Sequence, residues 1–189
     1  RLLERLRELG VRVAARKPAQ SFQPGEGPTD AEVLAAASGE DPHAVCPEHR
    51  WYPVPLAPPM AAEHLGRAEV RVDELVDEVT WPEGIEVGIV ETAGGARSPL
   101  AHDADSLELA RLLRPERVVL VADAGLGTIN SVRLAAEASA GLPLLVHLNR
   151  FDPSDDLHRR NEEWLVARDG CTVTTTVAAL AEELIRGSE

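Results

Sequence analysis

Lysine is nearly absent from this chain: of 19 basic residues, Lys17 alone is lysine and the rest are arginines. Aromatic residues make up 3%, so Leu, Val and Ala must fill whatever core the 189 residues build. The two cysteines, Cys46 and Cys171, lie far apart, which excludes a disulfide scaffold and points to a reducing cytoplasm. No apolar run reaches membrane-spanning length and no signal-peptide pattern occurs. No cluster of basic residues offsets a net charge of −13, so neither nucleic acid nor an anionic membrane is an expected partner. Any phosphate must therefore be held by a local, preorganised site.

The lone lysine stands in Arg12-Val-Ala-Ala-Arg-Lys17-Pro18, a short apolar run emptying into a loop. Where Arg serves everywhere else, a retained Lys marks a need for a compact, rotatable ammonium, and Lys17 is the first active-site candidate. Residues 1–9 read as a helix with Leu2, Leu6 and Leu9 on one face and Gly10 as its stop. Thr29 or Asp30 caps a helix carrying Val33, Leu34 and Ala37. Residues 41–59 read as a long Pro-rich loop, which suggests that it lines a site. Helical segments follow at 60–65 and 70–79. Buried strands are expected at 85–90, 118–121 and 143–148, and a short one at 171–174. Helices are expected at 105–113, after Asn130 to 140, at 157–167 and at 177–186. Strands alternating with helices at this spacing predict one α/β domain over 1–189, with a mostly parallel sheet between helical layers. In such folds ligands sit beyond the carboxyl ends of the strands. Lys17, Glu91, Asp123 and Asn149 all fall there.

Glu91 ends a strand and precedes Gly94-Gly95, so its carboxylate suits a hard divalent cation beside a nucleotide, with Asp30 as its partner. The Gly125-Leu-Gly127 stretch lacks the third glycine of a dinucleotide fingerprint and reads as a tight strand-to-helix turn. His43-x-x-Cys46-x-x-His49 has no second Cys/His pair and is not expected to hold zinc. Ser98 has no nucleophile elbow, so no hydrolytic triad is expected.

Five stretches, in order and with familiar spacing, resemble the ATP-dependent dethiobiotin synthetase family. They are Ala15-Arg-Lys17-Pro-Ala-Gln-Ser21, Pro28-Thr-Asp30-Ala, Tyr52 to Ala62, Val90-Glu91-Thr-Ala-Gly94-Gly95 with Pro99-Leu100, and Val121 to Asn130. The resemblance implies a three-layer α/β/α fold of P-loop NTPase type and a homodimer. It also implies closure of a cyclic urea from 7,8-diaminononanoate, carbon dioxide and magnesium-bound ATP. By the same resemblance Lys17 is the catalytic lysine and Ser21 binds the carbamate. Asp30 and Glu91 hold magnesium, Thr92, Ala93 and Gly94 lie beside ATP, and Asn149 reads the base.

The departures matter as much. No Gly-x-x-x-x-Gly-Lys-Ser/Thr loop occurs in these residues, although the family uses one for the phosphates. The opening helix has neither cap nor initiator Met, so a segment bearing that loop is expected before Arg1. Without it the 189 residues are expected to turn over ATP poorly or not at all. Phe22, Thr92 and Pro59 replace a small residue, a glycine and a histidine of the family pattern, which leaves the diamine open. The 171–176 stretch lacks the expected proline-containing nucleotide loop. Two other readings stay open: a related ATP-dependent amidoligase, and a non-catalytic nucleotide switch of the ParA/MinD kind. The first normally carries a glutamine-hydrolysing domain for which there is no room here. The second normally shows a basic or membrane-binding surface.

Overall fold

Strand and helix alternate from the first turn. In the computed structural model, which describes residues 1–186, Leu2–Glu8 forms α1 with Leu3 and Leu6 buried. The apolar run after it forms β1, Val13–Arg16, with all four residues buried. The chain divides into two compact units, one over Leu3–Leu113 and one from Arg114 onward. The last three residues of the expected 1–189 domain lie outside the described residues.

In the first unit β1 is followed by β2, Gln20–Ser21, and α2, Asp30–Ser38. Thr29, not Asp30, is the N-cap. Its side chain accepts from the Glu32 amide while the Glu32 carboxylate accepts from the Thr29 amide, a complete capping box. The Thr29 amide and hydroxyl both donate to the Glu32 carboxylate and hold it below its ordinary range. Asp30 is thereby the first helical residue, with its side chain free of capping duty.

The expected loop at 41–59 is more structured than its prolines suggest. Asp41 caps a short helix, α3 (Pro42–Val45), whose first position is Pro42, where a missing amide costs nothing. A 3-10 turn at Glu48–Arg50 follows, then β3, Trp51–Tyr52, which pairs in parallel with β2. Next come α4 (Pro58–His64), α5 (Val72–Glu78), β4 (Val87–Val90) and α6 (Ser106–Leu113). Arg50 is buried and donates to Glu74 and Glu78 on α5, tying the 3-10 turn to that helix. A core of Tyr52, Ala61, Val70, Leu75, Leu100 and Leu109 gathers α4, α5 and α6.

The second unit contains β5 (Val118–Asp123), α7 (Thr128–Ala138), β6 (Leu144–Asn149), α8 (Asp156–Ala167), β7 (Val173–Thr174) and α9 (Val177–Arg186). Its ladder runs β5-β6-β7, all parallel. Val132, Val146, Leu148 and Leu165 pack α7 and α8 on that ladder. Asn161 on α8 is buried and donates to the carbonyls of Ala124 and Gly125, fixing the turn that leads into α7. Gly127 opens α7 at φ 92, a conformation few other residues adopt.

Every named strand pair is parallel, as the alternating pattern predicts. Two strands differ from expectation in burial. β4 is only partly buried and shorter than 85–90, and β5 leaves Val121 59% exposed. Among the described residues each pairs on one side only, β4 with β1 and β5 with β6. Apolar composition identifies a strand but not how many neighbours it has. On β4, Gly88 makes room for Trp81: a Cβ there would meet the indole at 2.7 Å. No helix among the described residues is long and apolar enough to cross a membrane.

Candidate active site

β1 delivers Lys17 to the site. Its register with β4 pairs Arg16 with Val90, and the Glu91 amide donates to the Arg16 carbonyl at 2.9 Å, so Lys17 and Glu91 leave their strands side by side. The other side of β1 is held by loop groups. Glu40 accepts from the Ala15 amide at 2.8 Å and from the Arg16 guanidinium at 2.8 Å, and the Lys17 amide donates to the Val45 carbonyl. Arg16 also donates to the Thr80 carbonyl and lies over the Trp81 ring. Burial pushes the Glu40 carboxyl up, but the hydrogen bonds from Arg16 and Ala15 outweigh it and hold it below its ordinary value.

The Lys17 ammonium meets three acceptors: Asp30 Oδ2 at 2.7 Å, Glu91 Oε1 at 2.9 Å and the Thr92 carbonyl at 3.2 Å. Its three donors are thereby satisfied, which compensates the heavy cost of burying a charge. The Lys17 side chain is 3% exposed, whereas Asp30 and Glu91 are 57% and 49% exposed. The positive charge is thus sunk beneath two carboxylates that face outward. Two negative charges against one leave a net negative surface, and both carboxylates meet at the Lys17 ammonium. That donor set fits a hard divalent ion, which takes carboxylate oxygens and keeps waters. Among the described residues no group of three or more His, Cys, Asp or Glu side chains forms a metal cluster.

Asp30 owes its position to Gln20. The buried Gln20 side chain accepts from the Ala31 amide at 2.9 Å, pinning the start of α2 to β2. Ser21, the next residue, lines a cavity of about 290 Å³ together with Phe22, Glu26, Thr29, Asp30 and Pro55.

The Glu91 to Gly95 turn is closed by Ser98, whose hydroxyl accepts from the Gly95 amide at 2.8 Å. Gly94 adopts φ 78, and a Cβ on it would meet Ser98 Oγ at 2.6 Å. Ala93 packs against the core of this unit and anchors the turn. Of the residues expected at the site, the structure joins Lys17, Asp30, Glu91 and the Thr92 backbone directly. Ser21 shares the cavity with Asp30, and Ala93 and Gly94 continue the Glu91 turn.

Asn149 lies in the second unit, exposed at the end of β6 and in register with Asp123 at the end of β5. The Asp123 carboxylate accepts from the Gly125 amide at 2.7 Å, so Gly125 begins a tight turn, as read from sequence. His43, Cys46 and His49 go separate ways. His43 stacks on Trp51, Cys46 is buried with its thiol pushed up to about 12 by burial, and His49 reaches Glu78. Sequence reasoning missed Glu40, Gln20 and the Ser98 turn closure. Each acts on backbone that is distant or conformation-dependent, and although Gln20 lies within the Ala15 to Ser21 stretch, nothing in that stretch says which backbone it meets.

Parallel strands alternating with helices, and a lysine and two carboxylates at adjacent strand and helix ends, place this chain among α/β proteins of P-loop NTPase type. A family model described as an AAA domain matches residues 2–146. The chain is 38% identical over 161 residues to the ATP-dependent dethiobiotin synthetase BioD of Anaeromyxobacter dehalogenans (strain 2CP-C), covering 82% of this chain and 70% of the relative. It is 35% identical over 176 residues to the enzyme of the same name from Haloferax mediterranei, covering 90% and 72%. A third relative of that name, from Anaeromyxobacter sp. (strain Fw109-5), is 40% identical over 162 residues, covering 82% and 70%. This chain belongs to the dethiobiotin synthetase family.

Proposed function

We propose that this protein is an ATP-dependent ligase that closes the ureido ring of dethiobiotin from 7,8-diaminononanoate and carbon dioxide, working as a cytoplasmic homodimer. One amine adds to carbon dioxide, giving a carbamate and releasing a proton. A carbamate oxygen attacks the γ-phosphorus of ATP, the bond to the ADP oxygen breaks, and a carbamic-phosphoric anhydride forms. The second amine then attacks the carbonyl carbon, phosphate leaves, and the ring closes with loss of a second proton.

In this reading Lys17 is the catalytic cation. Its buried positive charge stabilises the negative charge that develops on the carbamate oxygens and the transferring phosphoryl group. Being held by Asp30, Glu91 and the Thr92 carbonyl, it is oriented before substrate arrives, and positioning of this kind is most of what phosphoryl transfer requires. Ser21 supplies a hydroxyl to the carbamate, and the Thr92-Ala93-Gly94 turn and Asn149 serve ATP. Asp30 and Glu91 would hold magnesium, which supplies neutralisation of phosphate charge.

The observation that carries the reading is the Lys17 ammonium shared between Asp30 and Glu91 in a member of this family. The test is formation of dethiobiotin by the full-length protein from the diamine, bicarbonate and ATP, in step with release of ADP. ATP consumption without that product favours the amidoligase reading, and tight nucleotide binding without turnover favours a switch.

A further inference from the structure

Two of the chain's few aromatic residues meet at one place. Phe22 stands edge-on to Trp51, with ring centroids 5.9 Å apart and planes at 87°. Trp51 in turn lies 5.0 Å from the His43 ring, and its indole nitrogen donates to the Cys46 carbonyl at 2.8 Å. The Phe22 amide donates to the Tyr52 carbonyl at 3.0 Å, which extends the β2·β3 pairing by one bond. Both ends of Phe22 are therefore fixed: the backbone by a ladder bond, the ring by edge-on contact with an indole that is itself hydrogen-bonded. A side chain braced in this way is rigid, and its ring lines the cavity of about 290 Å³ that also holds Ser21 and Asp30.

The remaining lining completes the picture. Pro55 adds apolar surface, and the charged side chains at the cavity, Glu26 and Asp30, are both carboxylates. Such a lining offers an aliphatic chain an apolar face at Phe22 and Pro55 beside the polar Ser21 and Asp30.

We infer that Phe22 is a specificity-determining residue: its braced ring is the apolar wall on which the alkyl chain of a vicinal diamine lies while the amines face Ser21 and Asp30. The inference rests on the diamine reading of the site and adds the chemical feature selected, an aliphatic tail beyond the two amines. Removing a wall of this kind costs selectivity for the tail and spares recognition of the head.

The test is calorimetric titration of the protein with two probes, 7,8-diaminononanoate and the tail-less 2,3-diaminobutane, in the wild type, Phe22→Gly, Phe22→Leu and Trp51→Leu. The wild type is expected to prefer the long probe. Phe22→Gly should cut that preference roughly tenfold or more while the affinity for 2,3-diaminobutane holds, since loss of apolar pocket contacts is worth factors of this order. Phe22→Leu should keep most of the preference, and Trp51→Leu, which removes the brace alone, should fall between. An unchanged preference in Phe22→Gly, or equal weakening of both probes, overturns the inference and leaves the diamine reading standing. Binding of neither probe by the wild type brings down both. If Phe22→Gly does not fold, an unchanged preference in Trp51→Leu is the overturning result.

Discussion

Lys17 places its ammonium 2.7 Å from Asp30 Oδ2 although its own side chain is almost wholly buried and that of Asp30 is more than half exposed. The arrangement separates two tasks. The lysine is a fixed positive charge under the floor of the site, and the carboxylates are the surface that a ligand meets. Arginine cannot take this place, because its planar fork does not fit three acceptors gathered round one nitrogen.

Lys17→Arg is therefore expected to lower kcat by roughly a hundredfold or more, in the range seen when one oriented donor is lost from a site of developing charge. Thermal stability should change little in Lys17→Met, because Asp30 and Glu91 remain open to water and rehydrate. Steady-state kinetics and a thermal melt on each variant check both halves. A large loss of stability with kcat unchanged would make Lys17 a structural residue.

Glu91→Gln keeps the hydrogen bond from Lys17 and removes one of the two outward charges. Half-saturation by magnesium should rise roughly 10- to 100-fold, at least as much as the loss of an outer-sphere partner produces at metal sites. Titration of activity against magnesium at fixed ATP gives the answer. An unmoved curve removes Glu91 from the metal site.

Gly94→Ala asks the Glu91 turn to hold a side chain at φ 78 against Ser98 Oγ and Cβ, at 2.6 and 2.8 Å. The strain should cost about 1 kcal/mol or more and lower ATP affinity through the displaced turn. Ser98→Ala removes the nearer atom but not the Cβ or the backbone conformation, so the double variant should recover only part of the loss. Chemical denaturation of the three variants measures it.

Strand ends and helix starts are local features, and they were readable. Lys17 and Glu91 stand where their apolar runs stop, and Thr29-Asp30 where a helix opens. The Gly125 turn and the order of nearly all elements were likewise legible. What escaped depends on contacts between distant residues. Trp51–Tyr52 is a strand because Gln20–Ser21 lies beside it, and nothing in the Pro-rich 41–59 stretch signals that pairing. The partial burial of β4 and β5 is equally silent, since Val and Ile look alike in buried and half-exposed strands. Glu40 could not be picked from the acidic residues around it until the fold set it against Ala15 and Arg16.

That last contact gives a pH dependence. The Glu40 carboxyl is held below its ordinary 4.5 by Arg16 and the Ala15 amide, against the opposing effect of burial. A depressed carboxyl contributes stability that is full above its unfolded value and is lost as pH falls through the folded one. The wild-type melting temperature should thus drop on acidification below about pH 4.5 more steeply than that of Glu40→Gln. At neutral pH, Glu40→Ala leaves the buried Arg16 charge without its partner and should cost about 3–5 kcal/mol. Melting curves from pH 7 to pH 3 compare the two. Parallel acid slopes in both proteins would show that Glu40 is not linked to folding.

The most direct measurement is mass spectrometry of the product formed from 7,8-diaminononanoate, ¹³C-labelled bicarbonate and ATP by the full-length wild type and by full-length Lys17→Arg. The expected result is dethiobiotin carrying one labelled carbon, one ADP released per ring closed, and product nearly abolished in the variant. Unlabelled or absent dethiobiotin, or full yield from Lys17→Arg, would contradict a carbamate-activating site built around Lys17, Asp30 and Glu91.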